Sequence, residues 1–522
     1  MLTQLGGALV GLIDSIMVGH YATTDLAAVS FANGLFFTVM VFTMGAVMGV
    51  TPLVGYAFVR GDHDEVGRLL RTGWRFTWLL IFFGCALLAA AVPFLFSMGQ
   101  DPEVAAAAKP YYITRLIGLV PFMLFCLCKQ FFEGLGNTLV AMLITTVCNV
   151  LNVILNYFFI FDEVQLSLFN FHFSLCDIPV CGAYGAGLAS LIACTLMPLS
   201  FFAVMLLRPA WRQYLSLPSS SAKVNHSAPI AKGDAVAHKE VCKTVPPFSG
   251  PPLETEFRMG RAASPECYNA AERQSVHEGD ASEGAGGLAL RGFRRITSEL
   301  TSGAASLHKL AKVGIPIGLQ TFVEAFLFTA SFVMVGWLGK EPQAAHMVAN
   351  QVADLTFMLA LGIGAATTIR VSHQYGVRDY HAMRMAARAS VHLVLLMNAI
   401  GATLMLTLRH YIPFLFSDDP EVIPIISRLL VYAAIFQFSD GLQCVGSAAL
   451  RGITDVRRSM VYAVIIYIFI ALPLGYVLMF GLSPLSLAPM GVDGMWIAFI
   501  LALALAAIIF HTRFWRLAMK ME

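Results

Sequence analysis

Residues 27–33 read AAVSFAN, and residues 344–350 read AAHMVAN. The same displacement of 317 residues lays Met17, Val18 and Gly19 on Met334, Val335 and Gly336, so the likeness is a register and not an isolated coincidence. Farther along, PFLF at 93–96 returns at 413–416, and DPEV at 101–104 returns at 419–422. Glu133 and Gly134 align with Arg451 and Gly452, and Gly182 and Gly185 align with Gly491 and Gly494. The landmarks keep one order in both halves, which is the signature of a duplicated unit.

Composition says what kind of unit is duplicated. Of the 522 residues, 57% are hydrophobic and only 13% are charged, outside the balance of a soluble domain. Crossing the bilayer core takes about 20 apolar residues. Twelve runs of that kind lie at 2–19, 26–58, 72–97, 111–132, 139–161, 183–207, 309–338, 343–371, 388–416, 422–448, 459–481 and 491–512. Several are longer than one bilayer thickness, so tilted or protruding helices are expected. Six runs fall in each half. Repeats with the same topology are related by an axis along the membrane normal. The fold expected is all-α: a polytopic membrane protein of twelve transmembrane helices, in two six-helix bundles related by pseudo-two-fold symmetry.

The breaks between runs set an orientation. Arg60, Arg68, Arg71, Arg378, Arg384 and Arg458 fall at even-numbered breaks, and Arg513 and Arg516 follow the last run, whereas the odd breaks carry acids such as Asp101, Glu103, Asp162, Glu163, Asp418 and Asp419. By the positive-inside rule the even breaks and both termini are cytoplasmic. Residues 209–305 interrupt the pattern with Ser-, Pro- and Gly-rich stretches such as SLPSSSAK and TVPPFSGPP. A disordered cytoplasmic linker is expected there. The organisation is then an N-terminal bundle at 1–208, the linker at 209–305 and a C-terminal bundle at 306–522. The repeat also predicts a clipped first helix, because the counterparts of Leu307 and Pro316 would precede Met1.

Several function classes are excluded or disfavoured. Lys+Arg 34 against Asp+Glu 32 gives a net charge of +2, too little for a nucleic-acid partner. No HExxH, G-x-S-x-G or P-loop motif occurs, so neither a common hydrolase nor direct ATP use is indicated, and no cofactor is expected. Most of the ten cysteines lie in apolar runs, where thiols act as small hydrophobes. Cys176 and Cys181 differ, standing close together in a polar-flanked loop where a disulfide is one alternative.

The chain resembles the multidrug and toxic compound extrusion (MATE) family, most closely its NorM-like branch. The likeness is carried by GLIDSIMVGH at 11–20, EGLGNT at 133–138, NVLNVILNYFFIF at 149–161, VGIPIGLQTFVEAFLF at 313–328, AAHMVANQVADLTFM at 344–358 and FQFSDGLQCVGSAALRGITD at 436–455. It covers both membrane halves and leaves out 209–305, which is longer than the family pattern leads one to expect. The resemblance implies a secondary antiporter without enzymatic activity, exporting amphiphilic or cationic drugs in exchange for inward Na+ or H+. It implies a monomer in the cytoplasmic (inner) membrane of a bacterium. A lipid-linked saccharide flippase of the same wider superfamily is the alternative, although such a substrate calls for rings of Arg and Lys that these spans lack.

An ionisable residue inside a bilayer is costly and is a functional candidate by default. Four acids qualify: Asp14, Glu324, Asp354 and Asp440. By resemblance, Asp14, Glu324 and Asp440 take part in cation coupling, whereas Asp354 is outside the recognised pattern. Asn149, Asn152 and Asn156 lie on one helix face, and amide oxygens of Asn152 and Asn156 could ligate sodium beside Asp14. Hydrogen bonding between helices is the competing role for such amides. Gln437 lies one turn before Asp440, and Gln320 one turn before Glu324, so both are candidate auxiliary contacts together with Asp354 and Asn350. His346, at the start of the Asn350 and Asp354 stripe, reads as structural. One departure stands out: the family pattern leads one to expect a tyrosine one turn before Asp440, and this chain has Phe436. Burial favours a neutral carboxyl group, so proton coupling is physically feasible beside sodium coupling.

Overall fold

The structure is a computed structural model, and it describes residues 23–93, 102–160, 182–214, 286–416, 419–481 and 488–521, together with Gly6 and Met17. The chain divides into two compact units, residues 1–216 with 301–522, and residues 217–300. The larger unit is all-helical. Its helices are α1 (Thr23–Val47), α2 (Val50–Val59), α3 (His63–Ala91), α4 (Pro102–Gly134), α5 (Thr138–Ile160) and α6 (Gly182–Leu207), followed by the short α7 (Pro209–Arg212). The second half holds α8 (Gly286–Gly336), α9 (Lys340–Gly376), α10 (Tyr380–Leu408), α11 (Val422–Gly452), α12 (Val456–Val464), α13 (Leu472–Phe480) and α14 (Val492–Ala518). Eleven spans among the described residues are long and apolar enough to cross a membrane, and they coincide with the second to twelfth runs. The first run, and with it the clipped-helix expectation, lies outside the described residues, as do Cys176 and Cys181.

The repeat seen in sequence is repeated in backbone detail. Asp62 caps α3 by accepting from the Glu65 N–H at 2.9 Å, and Asp379 caps α10 by accepting from the Ala382 N–H at 2.8 Å. Each cap follows a left-handed residue, Gly61 at φ 73° and Arg378 at φ 62°. The bends after α4 and α11 also match, with Gly136 at φ 79° and Thr454 at φ 59°. A β-branched residue in that region costs about 1–2 kcal/mol, and Thr454→Gly is therefore expected to raise thermal stability by up to ~1 kcal/mol once glycine's entropy is set against it. A melting curve in detergent checks this. The two caps are a second test: Asp62→Ala and Asp379→Ala should each cost about 1 kcal/mol.

Each half buries its own core. Tyr112, Leu119, Phe131, Phe132 and Phe201 centre the first, and Leu429, Tyr467, Trp496, Phe499 and Phe510 centre the second. At the start of the 209–305 segment the chain packs on the first bundle. Trp211 packs edge-on against Phe132 at 5.0 Å between ring centres, and the Tyr214 hydroxyl pairs with His63 Nδ1 at 2.9 Å, so 209–214 fold back onto the first bundle. Apolar and aromatic residues there have a core to join. The backbone of α8 begins at Gly286, and its first membrane turns place Leu310, Val313 and Ile317 in the first core, before Val323 and Leu327 enter the second. One helix therefore belongs physically to both bundles.

The seam between bundles is built on small residues. A Cβ on Gly318 would stand 2.7 Å from the Phe42 carbonyl oxygen, one on Gly45 3.0 Å from the Gly318 Cα, and one on Gly49 2.9 Å from the Gly314 Cα. Glycines four apart, Gly45 and Gly49 across the α1–α2 junction and Gly314 and Gly318 on α8, let the backbones touch, the close crossing that membrane helices use where no hydrophobic effect draws them together. Among the described residues three polar links cross the seam: Arg60 Nε to the Gly376 carbonyl at 3.1 Å, His373 Nε2 with the Gly134 carbonyl at 2.8 Å, and Lys309 with Glu65 at 3.3 Å. All three lie at the end that carries the arginine-rich breaks.

Candidate functional site

Between Val464 and Leu472 the helix relaxes into a π segment, Ile465–Ala471. Pro473 follows directly, and its missing N–H and its ring disrupt the regular ladder at the preceding turn. Such wide turns re-aim side chains and cluster at functional sites. Here the re-aimed residue is Tyr467, fully buried, whose hydroxyl accepts from Gln443 Nε2 at 2.6 Å. The same Nε2 donates to Glu324 Oε1 at 3.0 Å. Gln443 thus ties α8, α11 and the π segment into one polar cluster.

Asp440 joins it from the same face of α11, one turn before Gln443. Glu324 on α8 and Asp354 on α9 both act electrostatically on Asp440. Arg451, of opposite charge, acts on Glu324. Asp440 Oδ1, Gln437 Oε1 and Gln443 Oε1 are buried without a hydrogen-bond partner among the described residues. Buried acceptors are nearly always satisfied, so three such oxygens in one region require an account. No group of three or more His, Cys, Asp or Glu able to hold a metal ion occurs among the described residues. The set is carboxylate, amide and phenol oxygen, chemistry that suits a hard cation or a proton rather than a soft metal.

The other candidates separate into distinct environments. Phe436 is buried against Phe328, Trp496 and Phe499, so its position adds an aromatic ring and no hydroxyl. Gln320 Oε1 accepts from the Ser459 hydroxyl at 3.0 Å, linking α8 to α12. His346 is fully buried, contacts Ser331 Oγ at 3.1 Å and lies between Phe332 and Trp496. Asn350 Nδ2 reaches back to the His346 carbonyl at 2.9 Å, so its amide is engaged within its own helix. In the first bundle, Asn156 Nδ2 donates to Asn152 Oδ1 at 3.3 Å, and Asn152 Nδ2 meets Ser190 Oγ at 3.5 Å, both asparagines being buried. A Cβ on Gly6 would lie 3.4 Å from Asn149 Nδ2, which places Gly6 beside that amide. Asp14 lies outside the described residues.

Sequence reasoning missed Gln443, Tyr467 and Arg451. Gln443 carried a signal, its one-turn spacing from Asp440; Tyr467 carried none, because its direction depends on the π register. Removing the Gln443 amide tests the cluster. Gln443→Leu strands the Tyr467 hydroxyl and one Glu324 oxygen at a cost of about 1–3 kcal/mol, whereas Tyr467→Phe leaves the Glu324 bond in place and costs about 1 kcal/mol. Thermal unfolding of the two variants in parallel reads the difference.

A pseudo-symmetric pair of helical bundles with acids set inside the spans of one of them is the architecture of a membrane carrier. The chain belongs to the MatE family, whose sequence pattern matches residues 1–158 and 316–477. It is 27% identical over 509 residues to multidrug resistance protein NorM of Aliivibrio fischeri, covering 96% of this chain and 89% of that one. It is 24% identical over 517 residues to multidrug resistance protein MdtK of Photorhabdus laumondii, covering 98% and 92%. Among solved structures, the eukaryotic MATE transporter AtDTX14 superposes with a TM-score of 0.71 at 15% identity, covering 100% of this chain and 97% of that one. An outward-facing multidrug resistance MATE transporter gives the same TM-score at 15% identity, covering 100% and 94%. The helical fold expected from sequence is therefore the observed one, in a multi-pass membrane protein.

Proposed function

We propose that this protein is a secondary active antiporter exporting amphiphilic or cationic drugs in exchange for inward Na+, or H+. The observation that carries the reading is the Glu324 and Asp440 pair, in a buried region with unpartnered oxygens at Asp440 and Gln437. Two like charges held together out of water are costly, and a bound cation or proton relieves that cost. A positively charged drug relieves it as well, so drug and ion compete for the same acids. Neutralising Glu324 alters its bond to Gln443, and through α8 that change reaches Gly318 and Gly314 at the seam between bundles. Ion binding is thereby coupled to opening and closing of the arginine-rich end. Asp14 with Asn152 and Asn156 is a second cation site in the first bundle, and Asp354, Asn350, Gln437 and Gln320 are auxiliary contacts.

In this reading the bundles are residues 1–208 and 306–522, with 209–305 joining them. Both termini are cytoplasmic, the membrane is a bacterial inner membrane, the working unit is a monomer, and no cofactor is needed beyond the coupling ion. The curated relatives are named for multidrug resistance, which does not favour the saccharide-lipid flippase. The test is ethidium efflux from proteoliposomes under an imposed sodium gradient and, separately, a pH gradient. Efflux that follows one gradient identifies the coupling ion. No efflux under either would sink the antiport reading for this substrate class.

A further inference from the structure

The internal symmetry exposes one side of the seam that lacks its counterpart. The 317-residue displacement carries Gly45, Gly49 and Phe76 onto Gly362, Ala366 and Leu393. The first set meets α8 closely: Gly45 and Gly49 approach its backbone, and a Cβ on Gly314 would stand 3.1 Å from the Phe76 ring. The second set lines a cavity of about 430 Å³ between the bundles. The seam is packed tight on one side of the pseudo-axis and hollow on the other.

The hollow is chemically differentiated. Among its lining residues is Arg451, which is 9% exposed and whose Nε makes no hydrogen bond among the described residues. Glu133, aligned with Arg451 by the repeat, also lines the cavity, but its carboxylate already faces Lys129 at 4.0 Å. Among the lining residues one positive charge is left over; Glu324, which acts on Arg451, is not one of them. Most other lining residues are apolar, the exceptions being Thr51, Gln130, Thr138 and Thr368, and two apolar ones, Leu139 at 61% and Leu393 at 44% exposure, lie on outward faces of α5 and α10, where a spanning helix meets hydrocarbon. The apolar part of the hollow, running toward Leu139 and Leu393, suits an acyl chain better than water. A buried guanidinium N–H left without an acceptor is costly, and an anionic oxygen there removes the cost.

We propose that this cavity binds a single acyl chain with an anionic head, the head against Arg451 and the chain leaving between Leu139 and Leu393. The proposal goes beyond the antiport reading, which places cations at Glu324 and Asp440, and it stands or falls by binding alone. It is tested on the purified full-length protein in a neutral maltoside detergent, with dodecanoate as probe and methyl dodecanoate as its uncharged match, by titration calorimetry and thermal shift. Dodecanoate is expected to bind and the ester to bind at least ~10-fold more weakly, the worth of one charge-assisted hydrogen bond. Arg451→Gln should remove that preference, Arg451→Lys should restore most of it, and Ala366→Leu should weaken both probes by filling the hollow. Equal binding of acid and ester, or indifference to Arg451→Gln and Ala366→Leu, overturns the proposal. So does a loss of stability in Ala366→Leu without probe, because the space would then be filled by protein. Nanodiscs identify the source of the head: if phosphatidylglycerol, and not phosphatidylcholine, displaces dodecanoate, the bilayer supplies the ligand, and if neither does, a free amphiphile is the ligand. Ethidium efflux measured in parallel keeps failure of this site distinct from failure of antiport.

Discussion

Asp440→Asn abolishes cation-driven ethidium efflux while the protein still inserts and folds. The substitution keeps the shape of a fully enclosed side chain and removes its charge. At ~4 Å and an effective dielectric near 20, one carboxylate contributes about 4 kcal/mol to holding a monovalent cation, so cation affinity should fall by roughly a thousandfold. Stability moves the other way or hardly at all, because a buried charge is removed without stranding any hydrogen-bond donor seen on Asp440 Oδ1. Glu324→Gln makes an instructive companion. Its amide oxygen can still accept from Gln443 Nε2, so the link from α8 to α11 survives while the charge is lost. Sodium-dependent thermal stabilisation, read beside efflux, separates the two roles: it disappears in both variants if the acids hold the ion. Loss of expression in Asp440→Asn would show instead that the acid is a packing element.

The second large effect is expected at the seam. Gly318→Leu would set a side chain against the Phe42 carbonyl oxygen 2.7 Å from its Cβ and the Ala46 nitrogen at 3.0 Å. Both obstacles are backbone, so no rotamer change clears them, and α1 and α8 must separate. The penalty is about 3 kcal/mol, at the upper end for an overpacked site. Transport should fail because the arginine-rich end no longer closes. Arg60, His373 and Lys309 would lose their partners across the seam, and a thiol-reactive probe on a cysteine placed at Tyr56 should react faster than in the parent chain. Gly318→Ala should show the same changes at smaller size. An unchanged melting temperature and unchanged labelling would mean that the helices do not meet there in the membrane.

Much of this architecture is legible in the sequence. The apolar runs locate the spans because the bilayer fixes their length and forces each segment to satisfy its own backbone. The repeat gives the pseudo-two-fold, and the structure extends it to the Asp62 and Asp379 caps, where both copies solve the same local problem with the same residue. Glu324 and Asp440 stood out for the same reason: a charge in an apolar run is too costly to be accidental.

What sequence could not supply depends on contacts between residues far apart in the chain. The link from Gln443 to Glu324 spans 119 residues and that from Ser459 to Gln320 spans 139, distances over which no periodicity carries information. The direction of Tyr467 follows from the π segment, which the helical period misreads. The sharing of α8 between two cores, and the contrast between a seam closed by Gly314 and Gly318 and a hollow beside Arg451, depend on three-dimensional packing. Sequence by itself determined how many helices there are, where they lie and which acids are exceptional, because those follow from local transfer energies along one chain. Only the tertiary structure decided which oxygens lack partners and which helix couples the bundles, because those are set by how closely packed surfaces meet.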